Sequence, residues 1–527
     1  MNRARFRFFL SVFQSCGCSP LPIPGNSSYL CRRTSPLLLI PILESTMIML
    51  RQFLITVFLL IFSVQIAPAS RVFHTSALGI LSDSVIVQTA GLQRAVDSVA
   101  SIGGTLVVDP GTYVSGTLRL PSGARLRLSR GATILGSINP FDYQGYAVGS
   151  ASSTPQADKC SEPQMGLIVA HDASDILIEG EGTIDGRGLE VALAIDSLHH
   201  TGVRVDPSYN RRRMRPSIRP KLLDIEFCTG VRILGVNLRA SASWGLSLNG
   251  CTDVVISGID FVNRAYWNND GIDIADCRDV VVEKCRINSA DDGIVLKSFN
   301  PDSGCCNIRI SDCDVRSSAN AIKMGTESFG GFRRVRVERI RVADTFRSAI
   351  AIESVDGAVV DSIEVDGIDA VNTGNAFFVR LGHRRGEHPG SMSNVVIRNL
   401  RCEIPFGRPD EAYDLRGPDI NTIHNPFPNS ITGLPDAIIS NITLENVEVS
   451  HPGRGTKGMG YIGRYRWDDV PEMRDSYPEF HMFGELPAYG LYARHIDGLH
   501  LRNVRFTLRA PDYRPAIVAS DVTPPIP

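Results

Sequence analysis

The segment Asp270–Ser289, DGIDIADCRDVVVEKCRINS, and the segment after it, Asp292–Ser317, DGIVLKSFNPDSGCCNIRISDCDVRS, are two copies of one pattern. Each copy opens with Asp-Gly-Ile and continues with alternating apolar and polar residues, as in Val280-Val-Val-Glu-Lys-Cys-Arg-Ile287. Alternation with a period of two indicates β-strands, and the Asn, Asp and Gly residues between the runs indicate turns. The two segments therefore predict short strands joined by tight turns.

The same pattern recurs on both sides of these segments. A small residue opens each unit, with steps of 26, 22, 28, 28 and 27 residues between Gly245, Gly271, Gly293, Ala321, Ala349 and Ala376. Similarity at a regular spacing is typical of repeat proteins. Two or three short strands in about 25 residues fit one coil of a right-handed parallel β-helix, and an antiparallel sandwich is the alternative, although sandwiches lack such periodicity. We predict an all-β solenoid.

The region before the repeats predicts a short N-terminal capping helix. Within residues 91–100 the apolar side chains follow a helical spacing, at Leu92, Ala95, Val96 and Val99. A helix at this place would cover the open end of the first coil and prevent edge pairing. By contrast, residues 197–220 are basic and irregular, and predict a loop over one face.

The N-terminus predicts a division of the chain into three parts. Residues 51–67 have a positive flank and a short apolar core, and Ala67-Pro68-Ala69 offers small residues for cleavage. This pattern is typical of a secretory signal peptide, which we place at residues 47–70, and a retained membrane anchor is the alternative. Residues 1–46 then form an upstream extension from a mis-assigned start, and residues 71–527 form a single β-helix domain with long C-terminal loops. We expect a secreted or periplasmic protein.

Composition limits the partners and cofactors. The chain has 527 residues with a net charge of −2, which does not favour a nucleic-acid partner. Of its 12 cysteines, nine follow the signal segment. Four of these lie on strand-like segments and predict small core residues rather than a disulfide framework: Cys228, Cys251, Cys277 and Cys285. No cysteine or histidine cluster has metal-ligand spacing, so we expect no metal and no cofactor. We also expect a monomer without further contact with a membrane.

Three acidic residues mark a candidate catalytic site. Asp270 and Asp291 are 21 residues apart, close to one repeat, and Asp292 follows directly. Neighbouring strands of a sheet lie about 4.8 Å apart. Carboxylates at that range can divide into a proton donor and a water activator, as glycosidic bond cleavage requires. Asp270 could instead only cap a turn, whereas the paired aspartates are harder to explain without a task, because adjacent like charges cost energy.

The chain resembles glycoside hydrolase family 28, the polygalacturonase family with its pectin-lyase-like β-helix. The resemblance rests on the segments 180–188, 219–220, 268–273 and 290–298 together with Trp244, and extends over about residues 89–522. It implies that Asp291 is the general acid, that Asp270 and Asp292 are candidates for the base, and that hydrolysis inverts the anomeric carbon. The implied partner is a pectin-type polysaccharide or oligosaccharide.

The chain also departs from the family pattern. The family's Gly-His-Gly is replaced by Ala319-Asn320-Ala321, and its Arg-Ile-Lys motif, which grips the uronate carboxylate, by Ala351-Ile352-Glu353. Two cations are thus absent and one anion is added. We interpret further residues on the same or later coils as substitutes that bind substrate: Asn320, Lys323, Arg380 and His383, with Arg384 and Arg385 nearby. An arginine is well suited to a carboxylate.

Two other functions remain open at the level of sequence. A calcium-dependent polysaccharide lyase would use Lys323 or Arg380 as the base and the three aspartates as a calcium site. A non-catalytic carbohydrate-binding β-helix would explain the missing motifs as lost activity, although the intact aspartates argue against it. A glycoside hydrolase is the function that we favour.

Overall fold

The computed structural model describes residues 71–144, 165–411, 413, 427–461 and 469–525. These residues belong to one compact unit, Ser70–Pro527. Both the predicted upstream extension and the predicted signal peptide lie outside the described residues. Among the residues that are described, no helix is long and apolar enough to cross a membrane.

The alternating segments form parallel strands that stack coil upon coil into three faces. Face 1, on which the site lies, contains β5 (Leu118–Arg119), β8 (Gly166–His171), β11 (Lys221–Glu226), β14 (Leu246–Asn249), β17 (Ile272–Ala275), β20 (Ile294–Ser298), β23 (Ile322–Ser328) and β27 (Asn429–Thr432). Face 2 contains β1 (Val72–His74), β3 (Thr105–Val108), β6 (Arg125–Leu128), β9 (Ser174–Gly180), β12 (Thr229–Leu234), β15 (Thr252–Ser257), β18 (Arg278–Glu283) and β21 (Cys305–Ser311).

Face 3 contains β2 (Asp83–Val87), β4 (Gly111–Ser115), β7 (Ala132–Gly136), β10 (Thr183–Asp185), β13 (Asn237–Arg239), β16 (Asp260–Asn263), β19 (Arg286–Ser289) and β22 (Asp314–Ser317). Longer strands bend from one face to the next: β24 (Gly331–Ser354), β25 (Val359–Leu381), β26 (Ser391–Glu403), β28 (Ile439–His451), β29 (Leu491–Leu508) and β30 (Ile517–Thr523). The predicted fold class, an all-β parallel β-helix, is confirmed.

The core runs along the inside of the coils. On face 1 the same inward position is taken, strand after strand, by Ile272, Ile294, Ile322, Ile350 and Phe377, and each is fully buried. β-branched side chains pack well on a pleated surface, which explains why they dominate these rows. All the cysteines that the structure describes are free, and all but Cys306 are buried, including the four predicted as core residues.

The predicted capping helix is present. Helix α1 (Thr89–Ser101) buries the predicted side chains Leu92, Ala95, Val96 and Val99 and packs against the first strands. The described part of the chain also contains the α-helices α2 (Gly188–His200) and α3 (Lys457–Gly460), the latter a single turn. The loop predicted from residue 197 is thus wrong for its first four residues, which end α2. Apolar residues follow one another almost without a break in α2, so the sequence shows no clear helical period there.

The small residues that open the units lie at one stacked position. A Cβ atom added to Gly293 would be 2.5 Å from the carbonyl oxygen of Ala321 on the next coil. At Gly245 an added Cβ would overlap the ring of Phe261 and lie 2.6 Å from the carbonyl oxygen of Gly271. The spacing that reveals the repeat in the sequence is therefore set by close packing between coils.

We expect Gly245→Val to lower the free energy of unfolding by about 1–3 kcal/mol, the usual cost of forcing extra atoms into a packed interior. Urea denaturation followed by circular dichroism measures it. The control is Gly458→Ala in α3, where the nearest atom to an added Cβ is 3.5 Å away and the change should stay within about 1 kcal/mol. Equal stability of the valine variant and the unaltered protein would contradict the packing argument.

Outward-facing residues of face 3 form a ladder of alternating charge. Eight successive register partners are, in order, Asp260, Arg286, Asp314, Arg341, Asp369, Arg401, Glu448 and Arg505. Arg286 contacts Asp260 at 2.6 Å, and Arg341 is paired with Asp314. Opposite charges across neighbouring strands stabilise a sheet by about 0.2–1 kcal/mol per pair.

Candidate active site

The three aspartates lie in the turns that lead from face 3 into face 1. Asp270 comes shortly before β17, and Asp291 and Asp292 come shortly before β20, the neighbouring strand of face 1. One oxygen atom from each of the three carboxyl groups lies within 4.8 Å of the other two, and all three side chains are buried. The structure therefore brings together the residues that the sequence selected as catalytic.

Hydrogen bonds hold the turn that carries Asp270. Asn269 donates from Nδ2 to the carbonyl oxygens of Ser241 and Ser243, at 2.9 and 2.8 Å. Arg219 donates to the carbonyl oxygen of Trp267 and, at 3.0 Å, to Oδ1 of Asn268. Fixed turns of this kind restrict the positions that a catalytic carboxylate can adopt, which is a condition for efficient catalysis.

Asp292 is held by the next coil. Its Oδ1 accepts hydrogen bonds from the backbone N–H of Asn320 at 3.0 Å and from Nδ2 of the same residue at 2.9 Å. The Oδ1 of Asn320 in turn accepts from the backbone N–H of Ser348 at 3.1 Å. Asn320, which the sequence suggested for substrate binding, thus lies where it orients Asp292.

Two lysines neutralise the cluster of carboxylates. Lys323 Nζ lies 3.2 Å from Asp292 Oδ2 and 3.8 Å from Glu353 Oε2. Lys297 Nζ lies 3.7 Å from Asp270 Oδ2 and 3.5 Å from Asp273 Oδ1. Both lysines are buried, so these contacts are little screened by solvent. Glu353 thus lies beside Lys323, and burial, only partly offset by Lys323, raises the pKa of Glu353 to about 8.

The pKa values of the neighbouring residues Asp291 and Asp292 are shifted in opposite directions. Burial, followed by the charge of Asp292, raises the pKa of Asp291 above its usual value. Burial would also raise the pKa of Asp292, but Lys323, then Lys297 and Arg347, outweigh burial and lower that pKa to about 2. Such a pair, in which the pKa of one carboxyl group is raised and that of its neighbour is lowered, is the arrangement that acid–base catalysis uses.

Asp270 resembles Asp291 in the direction of its pKa shift. Burial, then the charges of Asp273 and Asp291, raise the pKa of Asp270 well above its usual value. Its Oδ1 is buried and has no hydrogen-bond partner among the described residues. This oxygen is therefore able to bond to a water molecule or a sugar hydroxyl that enters the site.

Arg347 and Glu479 add a buried ion pair that the sequence analysis missed. Arg347 Nη1 donates to Glu479 Oε1, and Arg347 is close enough to lower the pKa of Asp291. Lys323 faces the ring of Tyr477, 5.6 Å from its centroid. Positions 347 and 479 are 132 residues apart, so no local pattern could have indicated the pair.

The other candidate ligands of the sequence analysis contact other parts of the chain rather than the aspartates. Arg380 is buried, and its guanidinium donates to the carbonyl oxygens of Gly433, Glu472 and Met473 at 2.7–3.2 Å. His383 Nε2 lies 3.1 Å from the carbonyl oxygen of Gly386. Arg384 pairs with Asp356 at 2.7 Å. The contacts of these residues are with the protein itself.

The parallel β-helix thus brings three buried aspartates of two neighbouring coils together, and paired carboxyl groups are what acid–base cleavage of a glycosidic bond requires. The sequence model described as Glycosyl hydrolases family 28 matches residues 148–346. A probable polygalacturonase of Vitis vinifera is 27% identical over 356 residues, covering 62% of this chain and 67% of the relative. A polygalacturonase of Ralstonia solanacearum is 23% identical over 377 residues, covering 65% and 69%.

Solved structures show the same fold. The family 28 exopolygalacturonase of Yersinia enterocolitica has a TM-score of 0.58 at 17% identity, over 86% of this chain and 78% of the other. An exopolygalacturonase of Thermotoga maritima has a TM-score of 0.55 at 19% identity, over 72% and 87%. In sequence and fold the chain is therefore similar to glycosyl hydrolase family 28 and is polygalacturonase-like.

Proposed function

We propose that this protein is a secreted hydrolase that cleaves a pectin-type polysaccharide with inversion, Asp291 acting as the general acid and Asp292 as the general base. The observation that carries the assignment is the opposite shift of the two neighbouring pKa values, upward for Asp291 and downward for Asp292. Asp270 completes the space in which the attacking water is held.

In the proposed reaction Asp291 transfers its proton to the glycosidic oxygen as the bond to the anomeric carbon breaks. Asp292 takes a proton from a water molecule, whose oxygen attacks the anomeric carbon from the opposite side. Carboxyl oxygens of Asp270 and Asp292 within 4.8 Å of each other can hold one water between them, because a hydrogen bond spans about 2.6–3.2 Å. The separation of the carboxyl oxygens is shorter than the roughly 6.5–9.5 Å usual for inverting pairs, so the expected inversion rests on the resemblance to family 28. Exchange of protons with solvent then restores protonated Asp291 and ionised Asp292.

The choice of substrate follows from the cations near the site. Ala351 and Glu353 stand where the family carries its arginine and lysine, Lys323 is already paired with Asp292 and Glu353, and Arg380 is bound to backbone carbonyls. A charge-assisted hydrogen bond contributes roughly 1.5–3 kcal/mol, so its loss weakens binding about ten- to a hundredfold. We therefore expect weak cleavage of unsubstituted polygalacturonate and faster cleavage of a decorated or mixed pectic backbone.

A panel of pectic polysaccharides and oligosaccharides tests the proposal. Release of reducing ends, without the ultraviolet absorbance of the double bond that a lyase creates, supports hydrolysis. Nuclear magnetic resonance of the first products shows whether the anomeric configuration is inverted. Absence of cleavage throughout the panel, or unsaturated products, would overturn the proposed function, and efficient cleavage of plain polygalacturonate would overturn the substrate choice.

Lys323→Met should move the acidic limb of the pH–rate profile upward. Activity requires ionised Asp292, and Lys323 is the main charge that holds the pKa of Asp292 down. Removal of this cation raises that pKa, so activity is lost at a higher pH on acidification, by about 1–3 pH units. The profile of kcat/KM measures the shift.

The matched control is Lys284→Met, which removes a lysine whose side chain is 68% exposed and which pairs with the adjacent Glu283. Its profile should coincide with that of the unaltered protein. An unmoved acidic limb in an active, folded Lys323→Met variant would show that Asp292 is not the base.

Secretion is part of the proposal and rests on the signal-like residues 47–70. N-terminal sequencing of the protein recovered from the medium or the periplasm should find a mature chain that starts near residue 70. A mature chain that keeps the apolar segment would contradict it.

A further inference from the structure

The outward-facing positions of face 1 change character beyond the aspartates. Along one row of register partners, Asp273, Val295 and Lys323 are followed on the next two strands by Ala351 and Phe378. In this row the side chains become apolar on β24 and β25, whereas the next outward row on the same strands carries Glu353 and Arg380. The change falls two strands after Asp292, about 10 Å along the face at the usual strand spacing.

Aromatic side chains from outside the coils cover this apolar part. Phe427 and Phe480 pack with Ala351 and Phe378 in one cluster, and Phe480 is 1% exposed. The rings of Phe427 and Phe480 meet edge to face, with centroids 5.9 Å apart. An outward-facing side chain of a solenoid is buried only where something lies over it, so this cluster, which we call the aromatic cover, closes the face.

Polar contacts fix the segment that carries the aromatic cover. The guanidinium of Arg380, which points outward from β25, donates to the carbonyl oxygens of Glu472 and Met473 in the segment 469–490. Glu479, next to Phe480, is paired with the buried Arg347. Breaking a buried ion pair by removing one partner is strongly destabilising, so the segment is not a loosely attached loop.

Solvent access returns on the side of the aspartates. The side chain of Tyr477, above Lys323, is 47% exposed. On the coils that precede Asp270, the side chain of Lys221 is 25% exposed and lies over the partly exposed Trp244. The binding face is therefore open beside the acids and closed two strands beyond them.

We propose that the aromatic cover makes this enzyme act on chain ends, because a continuous polysaccharide cannot pass beyond it. This inference rests on the proposed function and specifies how the substrate enters. The terminal sugar unit occupies the space bounded by Lys323, Tyr477 and the aromatic cover, and the next glycosidic bond lies at Asp291 and Asp292. Each turnover then adds water across the bond next to the chain end and releases a short product of constant size.

End-blocked oligosaccharides test the inference. Homogalacturonan and rhamnogalacturonan oligosaccharides of defined length are prepared in three forms: unmodified, labelled with a fluorophore at the reducing end, and modified at the non-reducing end. Products are separated by size over time. We expect one short product from the first moments of the reaction and a slow fall in the viscosity of the parent polymer.

Blocking one of the two ends should slow hydrolysis by about ten- to a hundredfold, the penalty for forcing extra atoms into a packed site. Blocking the other end should leave the rate nearly unchanged. Early products of many sizes, or equal rates with either end blocked, would overturn chain-end action while leaving the proposed hydrolysis intact. No cleavage of any member would overturn the proposed function and the inference with it.

A variant provides a second readout. Arg380→Met removes the side chain that anchors segment 469–490, so the share of internal cleavage should rise, to a similar degree on acidic and on neutral substrates. Lys457→Met, an exposed change in α3, is the matched control and should keep the product pattern. Loss of activity on acidic substrates alone would instead make Arg380 a carboxylate ligand. If the Arg380 variant fails to fold, the end-blocked oligosaccharides still test whether the unaltered enzyme acts on chain ends.

Discussion

Asp291→Asn is expected to lower kcat by about 10²–10⁴-fold, the usual contribution of a general acid. The substitution removes the proton donor and changes little volume, so folding and substrate binding should persist. Steady-state kinetics on the best pectic substrate measures the loss, and circular dichroism checks the fold. Turnover like that of the unaltered protein would exclude Asp291 as the acid.

Two comparisons separate an acid from a merely structural residue. Asp312→Asn, on an exposed carboxylate paired with Arg339 away from face 1, should leave kcat unchanged. A substrate with a nitrophenol leaving group needs little protonation of that group. The Asp291→Asn variant should therefore lose much less activity on it than on the natural substrate. An equal loss on both substrates would indicate that Asp291 acts by some means other than proton donation.

Asp292→Asn should cause a loss of similar size, about 10²–10⁴-fold in kcat, because no carboxylate then takes the proton of the attacking water. The hydrogen bonds from Asn320 retain an oxygen acceptor, and Lys323 keeps its contact with Glu353. The fold should therefore tolerate the change. The variant differs from Asp291→Asn in what restores its activity.

Azide distinguishes the two roles. As an anion it attacks the anomeric carbon without a base, so it should restore turnover in Asp292→Asn and produce a glycosyl azide of inverted configuration. Azide should not restore Asp291→Asn on the natural substrate, because the leaving group still lacks its proton. Rescue of the Asp291 variant alone would reverse the assignments, and failure of azide to act on either variant would contradict a base role for Asp292.

Most of the fold could be predicted because it repeats. Residues one coil apart occupy equivalent positions. The spacing of Gly271 and Gly293 along the sequence therefore shows which residues stack on each other. The aspartates could be predicted for the same reason, since Asp270 and Asp292 open neighbouring units. The face of α1 followed from its helical spacing. In these cases one local pattern determines one local structure.

The rest of the site depends on contacts that no short pattern contains. Arg347 and Glu479 meet only after many coils have formed, and Tyr477 reaches Lys323 from a long loop. Arg380 and its neighbours were expected at the substrate because they carry charge on a later coil. The sequence could not show that backbone carbonyls of segment 469–490 already occupy the guanidinium.

The alternating charges on face 3 bear on how such a chain avoids misfolding. Coils with similar sequence patterns can pair with the wrong neighbour. A strand that pairs one coil too far still places its apolar side chains beside apolar side chains. On the ladder from Asp260 to Arg505, however, skipping one coil places aspartate opposite aspartate and arginine opposite arginine. Like charges directly opposite are destabilising. The alternating charges therefore disfavour a misfolded arrangement in which one coil is left out of the stack.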